Sequence, residues 1–293
     1  MIQPYYLVFE FSIYGLFIGC FVHAARQGRN RVMELVFSGV YGFLLEWLTI
    51  KQLASYHYGQ FLIMLDGAPL NIALAWAAII YSSMEFSSRI QMPDATRPLV
   101  DALLALNIDL ALDVVAIRLG MWSWTGLAFD KQWFGVPWGN FWAWFIVVAS
   151  FSFFLRVLRA WGKRSKGGWL YVPFTLLLSL AVVIVTNQFF VSVISHIGDG
   201  LIGPLFLIIG SLLVILAVHP HVQHVDSLDP VVISVPIVAH MLTIGAGLIY
   251  GFYSQLPALG IVAVVMLVLG ILIHLWPWLG GRPTLAVQGS KSA

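Results

Sequence analysis

Nine apolar segments, most of them long enough to cross a membrane as a helix, constrain this chain more than any other feature. A bilayer core of about 30 Å requires about 20 helical residues. Hydrophobic residues make up 60% of the 293 and charged residues only 10%. Inside lipid the backbone must satisfy its own hydrogen bonds, which favours helices for segments of this length. The predicted spans are residues 5–25, 33–54, 69–89, 97–118, 138–160, 168–195, 201–218, 230–252 and 257–279.

The sequence therefore predicts an all-α fold, a polytopic membrane helical bundle of about nine transmembrane helices, with eight as the alternative. Residues 1–280 are expected to form a single transmembrane domain, and residues 281–293 a polar C-terminal tail. The net charge of +2 is too small to indicate binding to nucleic acid. Cys20 is the single cysteine, so a disulfide framework is excluded. The first apolar run lacks a basic leader and a small-residue cleavage site, and we interpret it as a retained helix.

Loop charges predict the orientation of the nine spans. With loops assigned alternately to the two sides, twelve of the fifteen Lys and Arg residues lie on one side. The other side has Lys51, Arg118 and Lys131. The positive-inside rule then places the N-terminus outside and the C-terminus in the cytoplasm of what we expect to be a prokaryotic cell membrane.

Three of the seven acidic residues within the predicted spans are candidates for chemistry. Asp109 and Asp113 are four residues apart on the fourth span, so they share one helix face with small residues. Glu46 shares a face of the second span with Gly39 and Gly42. Intramembrane carboxyl groups are costly and commonly functional. The predicted orientation places all three in the outer half of the membrane, as one buried site would require. A hydrogen-bond network between helices, without chemistry, is the alternative.

Tryptophans are concentrated around the outer ends of the fourth and fifth spans, among them Trp122, Trp124 and Trp144. An aromatic belt at the membrane surface accounts for part of this enrichment. Indole faces also stabilise cations, so a carbocation pocket is the functional alternative.

The sequence lacks the familiar motifs for phosphate, serine-nucleophile and zinc chemistry. The segment from His219 to His224 contains three histidines, but their spacing matches no standard zinc site, and we predict a solvated loop. His240 and His274 are assigned to packing or hydrogen bonding. We expect neither a metal nor a cofactor.

One set of residues within positions 35–160 forms a more specific pattern. It consists of Gly42 to Glu46, Tyr58-Gly59, Gly67 to Leu70, Trp76, Tyr81, Asp109, Asp113, Trp122 to Trp124, Gly135 to Pro137, Asn140 and Trp144. This set resembles the integral-membrane carotenoid biosynthesis family. Characterised members of that family include hydratases that add water to the terminal double bond of γ-carotene or of bisanhydrobacterioruberin.

The resemblance implies an acid-catalysed hydration of an acyclic carotenoid end. It implies Asp109 and Asp113 as acid and base, in either order, with Glu46 as a supporting or alternative acid. Cation-facing and substrate-binding roles are implied for a set of six residues: Trp76, Tyr81, Trp122, Trp124, Asn140 and Trp144. The expected partners are a lipid-soluble carotenoid substrate, the bilayer and other enzymes of the carotenoid pathway.

Two other functions stay open at this point. A carotenoid end-group cyclase of the lycopene type begins with the same protonation, and the sequence does not separate capture of the cation by water from capture by an alkene. A proton-coupled membrane transporter also uses buried acids. A non-catalytic scaffold for a pigment pathway is a further alternative.

Overall fold

The computed structural model describes residues 3–52, 56–162, 168–222 and 229–279. Within these ranges the chain forms nine long helices and one short one. They are α1 (Pro4–Gln27), α2 (Arg29–Gln52), α3 (Leu70–Ser87), α4 (Arg97–Arg118), α5 (Trp138–Gly162), α6 (Tyr171–Ser192), α7 (Ile202–Ala217), α8 (Pro230–Ile249), the short α9 (Phe252–Gln255) and α10 (Pro257–Leu279).

The long helices correspond one to one with the nine predicted spans, and the all-α membrane bundle is confirmed. Six of the described helices are long and apolar enough to cross a membrane. They are α1, α2, α5, α6 with its flanking turns, α8 and α10. The more polar α4 is the helix that carries Asp101, Asp109 and Asp113. The predicted C-terminal tail, residues 281–293, and His224 lie outside the described residues.

Local signals set several of the helix ends. Pro4 opens α1, where its missing N–H costs nothing, and α1 ends at Gly28, whose φ of 114° suits glycine. Asp229 caps α8 by accepting a hydrogen bond from the Val231 amide at 3.0 Å. The helix signals and the hydrophobic pattern agree along the chain, which is why the spans could be predicted well.

Short strands join the helices at one end of the bundle, which we call the site end. The strands β1 (Tyr56–Tyr58) and β5 (Trp122–Trp124) pair antiparallel, with Tyr58 opposite Trp122. A second pair, β2 (Met64–Leu65) and β3 (Ala68–Pro69), forms a hairpin beside it. At the opposite end, β4 (Ile90–Gln91) pairs with β6 (His221–Val222). The predicted solvated histidine loop is thus partly a strand, with His221 paired to Gln91.

The end opposite the site end is held by buried ion pairs, and we call it the basic end. Glu34 on α2 accepts two hydrogen bonds from Arg159 on α5, at 2.8 and 2.7 Å, and one from the Tyr171 hydroxyl on α6 at 2.6 Å. Asp101 on α4 pairs with Arg156 on α5 at 3.1 Å. These contacts tie four helices together far from the cavity described below.

Candidate functional site

A cavity of about 290 Å³ lies at the site end, between α1, α2, α3, α4, α5, α6 and α8. The β1–β5 ribbon covers part of it. Most of its wall is apolar, but a group of polar and aromatic side chains also lines it. They are Glu46, Thr49, Tyr56, Tyr58, Trp76, Asp113, Trp122, Trp124, Asn140, Trp144 and Asn187.

Asp109, Asp113 and Asn140 form one hydrogen-bonded group, the Asp–Asn cluster. The Asn140 side-chain amide donates to Asp113 Oδ2 at 2.7 Å and to Asp109 Oδ2 at 3.1 Å. Both carboxyl groups are buried, and the structure brings them together because they are one helical turn apart on α4. Asp113 lines the cavity, whereas Asp109 lies behind it. The Oδ1 atom of Asp113 has no hydrogen-bond partner among the described residues.

In the part of the chain that the structure describes, this pair of carboxyl groups has no balancing cation. Within the described ranges, no Lys, Arg or His forms an ion pair with Asp109, Asp113 or Glu46. Arg118, the basic residue nearest in sequence, donates instead to the carbonyl oxygens of Val114 and Phe134, both at 2.9 Å. Two adjacent buried carboxylates without a counter-ion would repel each other strongly. The arrangement therefore favours a pair that shares a proton.

Glu46 belongs to a second group at the cavity wall. Tyr58 donates its hydroxyl proton to Glu46 Oε2 at 2.7 Å, and the Trp76 indole N–H donates to Oε1 at 2.8 Å. Tyr56 in turn donates to the Tyr58 hydroxyl oxygen at 2.8 Å. Each carboxyl oxygen of Glu46 thus has a neutral donor, and these two hydrogen bonds fix the carboxyl group at the cavity wall.

The two tyrosines reach the cavity because they alternate along a strand. Successive side chains of a strand point to opposite faces, so Tyr56 and Tyr58 share a face while His57 points the other way. Burial, followed by the nearby Glu46 carboxyl, raises the pKa of Tyr56 and of Tyr58 well above the usual range. Both phenols are therefore protonated at neutral pH and remain donors. Sequence reasoning did not include them in the site, although the alternating Tyr56-His57-Tyr58 and Trp122-Ser123-Trp124 patterns were the available signal.

The predicted aromatic residues divide between the cavity and other places. Trp76 and Trp144 both line the cavity, with ring centroids 4.3 Å apart, and Trp122 and Trp124 line it from β5. Tyr81 does not belong to the cavity. Its hydroxyl lies 2.9 Å from His23 Nδ1 and its ring packs under Arg31, near the basic end. Tyr81 is two residues beyond Ile79, the last α3 residue that lines the cavity, and its side chain contacts α1 and α2 instead.

Glu10, a further buried acid on α1, serves the neighbouring loop. Its buried carboxylate accepts hydrogen bonds from the Leu62 and Ile63 amides, at 2.9 and 3.3 Å, and from the Tyr14 hydroxyl at 2.5 Å. It thereby anchors the segment between β1 and β2 against α1. This is a structural task that satisfies backbone donors in a buried loop.

A search of the described residues finds no group of three or more His, Cys, Asp or Glu side chains that is placed to hold a metal ion. His240 lies 3.0 Å from the Asn107 side-chain oxygen, and His274 lies 2.7 Å from the Gly270 carbonyl oxygen. Both histidines are buried between α8, α10 and α4, and their contacts are hydrogen bonds within the bundle.

The comparison with protein families assigns the chain. The family described as "Carotenoid biosynthesis protein" matches residues 3–215. The chain belongs to this family. The match extends on both sides of residues 35–160, which we expected to carry the resemblance, and it contains the Asp–Asn cluster, Glu46 and the β1–β5 ribbon. No curated protein and no solved structure is significantly similar to the chain. Family membership supports a role in carotenoid biosynthesis at a membrane.

Proposed function

We propose that this protein hydrates the terminal double bond of an acyclic carotenoid end by acid catalysis. One observation carries the proposal: an apolar, aromatic cavity within membrane helices is lined by Asp113, which Asn140 links to Asp109, and neither carboxyl group has a counter-ion among the described residues. Family membership supplies the substrate class. A hydrocarbon has no polar group that a cation or a phosphate-binding loop would bind. Its double bond reacts instead with a proton donor in a site that excludes water.

The first step is proton transfer to the alkene. The carboxyl O–H bond of the Asp–Asn cluster breaks, and a C–H bond forms at the less substituted carbon of the terminal double bond. The alkene π electrons form that bond and leave a tertiary cation on the neighbouring carbon. Asp113 is the residue that contacts the substrate, because it lines the cavity, and Asp109 positions it through Asn140.

The second step is capture of the cation by water. The oxygen lone pair of a water molecule forms the new C–O bond, and the bound water loses a proton to a carboxylate. Glu46 is assigned this base role because it lines the cavity, where Tyr58 and Trp76 hold its two oxygens in place by hydrogen bonds. Transfer of a proton back to the Asp–Asn cluster then completes the cycle with no net gain or loss.

The aromatic wall would stabilise the intermediate cation. Trp76, Trp122, Trp124 and Trp144 all line the cavity, and an indole face near a desolvated cation contributes about 2 kcal/mol. Several such faces would lower the free-energy barrier to forming the cation, and none of them supplies a nucleophile that would capture it. Their number fits a reaction through a carbocation better than simple binding of a neutral chain.

A test is expression in cells that accumulate lycopene or γ-carotene, followed by chromatography and mass spectrometry of the pigments. Hydration adds the mass of one water, and this product is expected. An isomeric product of unchanged mass would identify a carotenoid cyclase instead. If no acyclic carotenoid is changed, both enzymatic assignments fall and a proton-coupled transporter becomes the better hypothesis. The matched control is the Asp113→Asn variant, which keeps the shape of the side chain.

A further inference from the structure

The two sides of the cavity differ in chemistry. The carboxyl groups, both asparagines and the indoles lie on α2, α3, α4, α5, α6 and the β1–β5 ribbon. The residues that α1 and α8 contribute are all apolar. They are Phe9, Ile13 and Leu16 on α1, and Val235, Ala239 and Leu242 on α8.

These six residues form two matching stripes. Each set follows the spacing i, i+4, i+7, which places its members on one face of a helix. Each stripe extends about 10 Å along its helix. Because α1 and α8 contact each other, the stripes together form one continuous apolar wall that reaches the boundary between the two helices.

The boundary between α1 and α8 is held by polar contacts at its two ends. At the site end, the Tyr5 hydroxyl donates to the Leu242 carbonyl oxygen. At the basic end, His23 Nε2 lies 3.2 Å from the Asp229 carboxylate. Tyr5 and His23 are about 27 Å apart along α1. Between them, no hydrogen bond or ion pair joins the described residues of α1 and α8.

The outward faces beside this boundary suit lipid. Phe11 and Ile18 on α1 are 59% and 60% exposed, and Met241 on α8 is 57% exposed. Separating two apolar helix faces in lipid breaks no polar contact and exposes no backbone donor, so local opening costs little. A linear hydrocarbon is the ligand that such a path admits.

The size of the cavity also requires an opening. About 290 Å³ is at the lower limit of pockets that enclose a drug-sized ligand. A carotenoid is much longer than such a ligand, so most of its chain has to lie outside the cavity while its end reacts.

We propose that the α1–α8 boundary is a lateral portal for the polyene arm of a linear isoprenoid. The reacting end lies between Asp113 and Glu46, and the arm passes Leu16 and Ala239 into the bilayer. This inference rests on the proposed function for the identity of the substrate. The portal wall on α8 lies outside the family-matched residues 3–215.

The test compares Ala239→Trp, which fills the portal, with Met241→Trp, which adds the same bulk on the lipid face of α8. Each variant is given a full-length acyclic carotenoid and a short acyclic isoprenoid with the same end group. Pigment retained by the purified protein is measured beside product. Ala239→Trp is expected to lower turnover and retention of the long substrate at least about tenfold and to lower turnover of the short one much less. Met241→Trp is expected to behave like the wild type.

Leu16→Trp, on the facing helix, repeats the test where Ala239→Trp fails to fold. Equal loss of the short and long substrates in folded variants, or normal turnover of both, overturns the portal and leaves the proposed function standing. Wild-type protein that changes no carotenoid overturns the proposed function. Should it still retain pigment, and should Ala239→Trp lose that pigment, the portal is supported on its own. Wild-type protein that gives neither product nor bound pigment overturns both.

Discussion

At the scale of single residues, the chemistry depends on how each carboxyl group is satisfied. The buried acids have different partners: Glu34 and Asp101 have arginines, Glu10 has backbone amides, and Glu46 has neutral donors. Asp109 and Asp113 share a single amide. A carboxyl group paired with arginine is held ionised and is a poor proton donor. The Asp–Asn cluster is therefore the group best prepared to give a proton to an alkene.

The first prediction concerns this cluster. Asp113→Asn is expected to lower turnover at least about a hundredfold, because general acid catalysis commonly contributes that much. Asp109→Asn is expected to cause a smaller loss, since Asp109 lies behind Asp113. Turnover is measured in membranes by chromatography of the pigments. Full activity in both variants would remove the pair from the mechanism. Asn187→Leu, at another position of the cavity wall, is the control for altered wall polarity.

The second prediction concerns the donor that holds Glu46. A Cβ atom on Gly42 would lie 2.6 Å from the Trp76 Cβ, so Gly42→Ala forces the indole away from Glu46. Overpacking of this kind destabilises by about 1–3 kcal/mol, and turnover is expected to fall as well. Thermal unfolding in detergent and product yield are the measurements. Gly15→Ala is the control, because a Cβ there meets no atom within 4 Å. Equal behaviour of the two variants would contradict the packing argument.

The two acid groups also show what sequence reasoning can reach at this scale. Asp109, Asp113 and Asn140 were found because charge and amide groups inside apolar helices are conspicuous. Tyr56 and Tyr58 were missed as site residues because aromatic side chains are unremarkable near a membrane surface. Their role depends on the pairing of β1 with β5, which joins segments more than sixty residues apart. Tyr81 shares the aromatic character of the cavity residues, but its side chain contacts His23 and Arg31 and is not part of the cavity wall.

At the scale of elements, the site requires that the loops at the site end be fixed as firmly as the helices. The β1–β5 ribbon carries Tyr58 and Trp122 over the cavity, and Glu10 anchors the segment that follows β1. The helices could be predicted from local signals, such as Pro4 and Gly28 at the ends of α1. The ribbon and the anchor could not, because both depend on contacts between distant segments. The loops at the site end therefore carry the part of the site that could not be predicted from the sequence, namely the β1–β5 ribbon and the segment that Glu10 anchors.

The third prediction is that Glu10→Gln loosens this loop without unfolding the bundle. The substitution keeps the size of the side chain but removes its charge, and charge-assisted hydrogen bonds are roughly twice as strong as neutral ones. Hydrogen exchange at the Leu62 and Ile63 amides is expected to accelerate, while exchange within α3 and α4 stays unchanged. Mass spectrometry of peptides covering each segment gives the measurement. Asp66→Asn, an exposed change in the same loop region, is the control. Unchanged exchange at both amides would show that Glu10 is not the anchor.

At the scale of the whole molecule, the bundle has two ends with different tasks. The basic end holds α2, α4, α5 and α6 together through Glu34, Asp101 and their arginines. The site end has the cavity, and it has few ion pairs among the described residues. The ion pairs that stabilise the bundle and the cavity proposed for catalysis thus lie at different positions along the membrane normal. The proposed hydrocarbon site needs a dry, uncharged surrounding, and Glu34 and Asp101 lie about 18 Å along α2 and α4 from Glu46 and Asp113.

The fourth prediction follows from this separation. Glu34→Gln leaves Arg159, whose side chain is 26% exposed, partly unpaired, and the cost is expected to be below the value of about 3–5 kcal/mol for breaking a fully buried pair. The variant is expected to unfold at a lower temperature in detergent, yet its folded fraction should turn over substrate normally. Glu46→Gln is the opposite case, with reduced turnover and little change in unfolding temperature. The separation of tasks is disproved if each variant changes both properties to the same degree.

The last prediction is the orientation of the whole bundle. Loop charges place the site end outside the cell, so the acids would act on carotenoid in the outer leaflet. Asp130, near the site end, and Asp94, near the basic end, have side chains that are 75% and 77% exposed. In a Cys20→Ser background, Asp130→Cys is expected to react with a membrane-impermeant maleimide on intact cells. Asp94→Cys should react only after the cells are permeabilised. The reverse pattern would place the site end in the cytoplasm, and the portal would then draw its substrate from the inner leaflet.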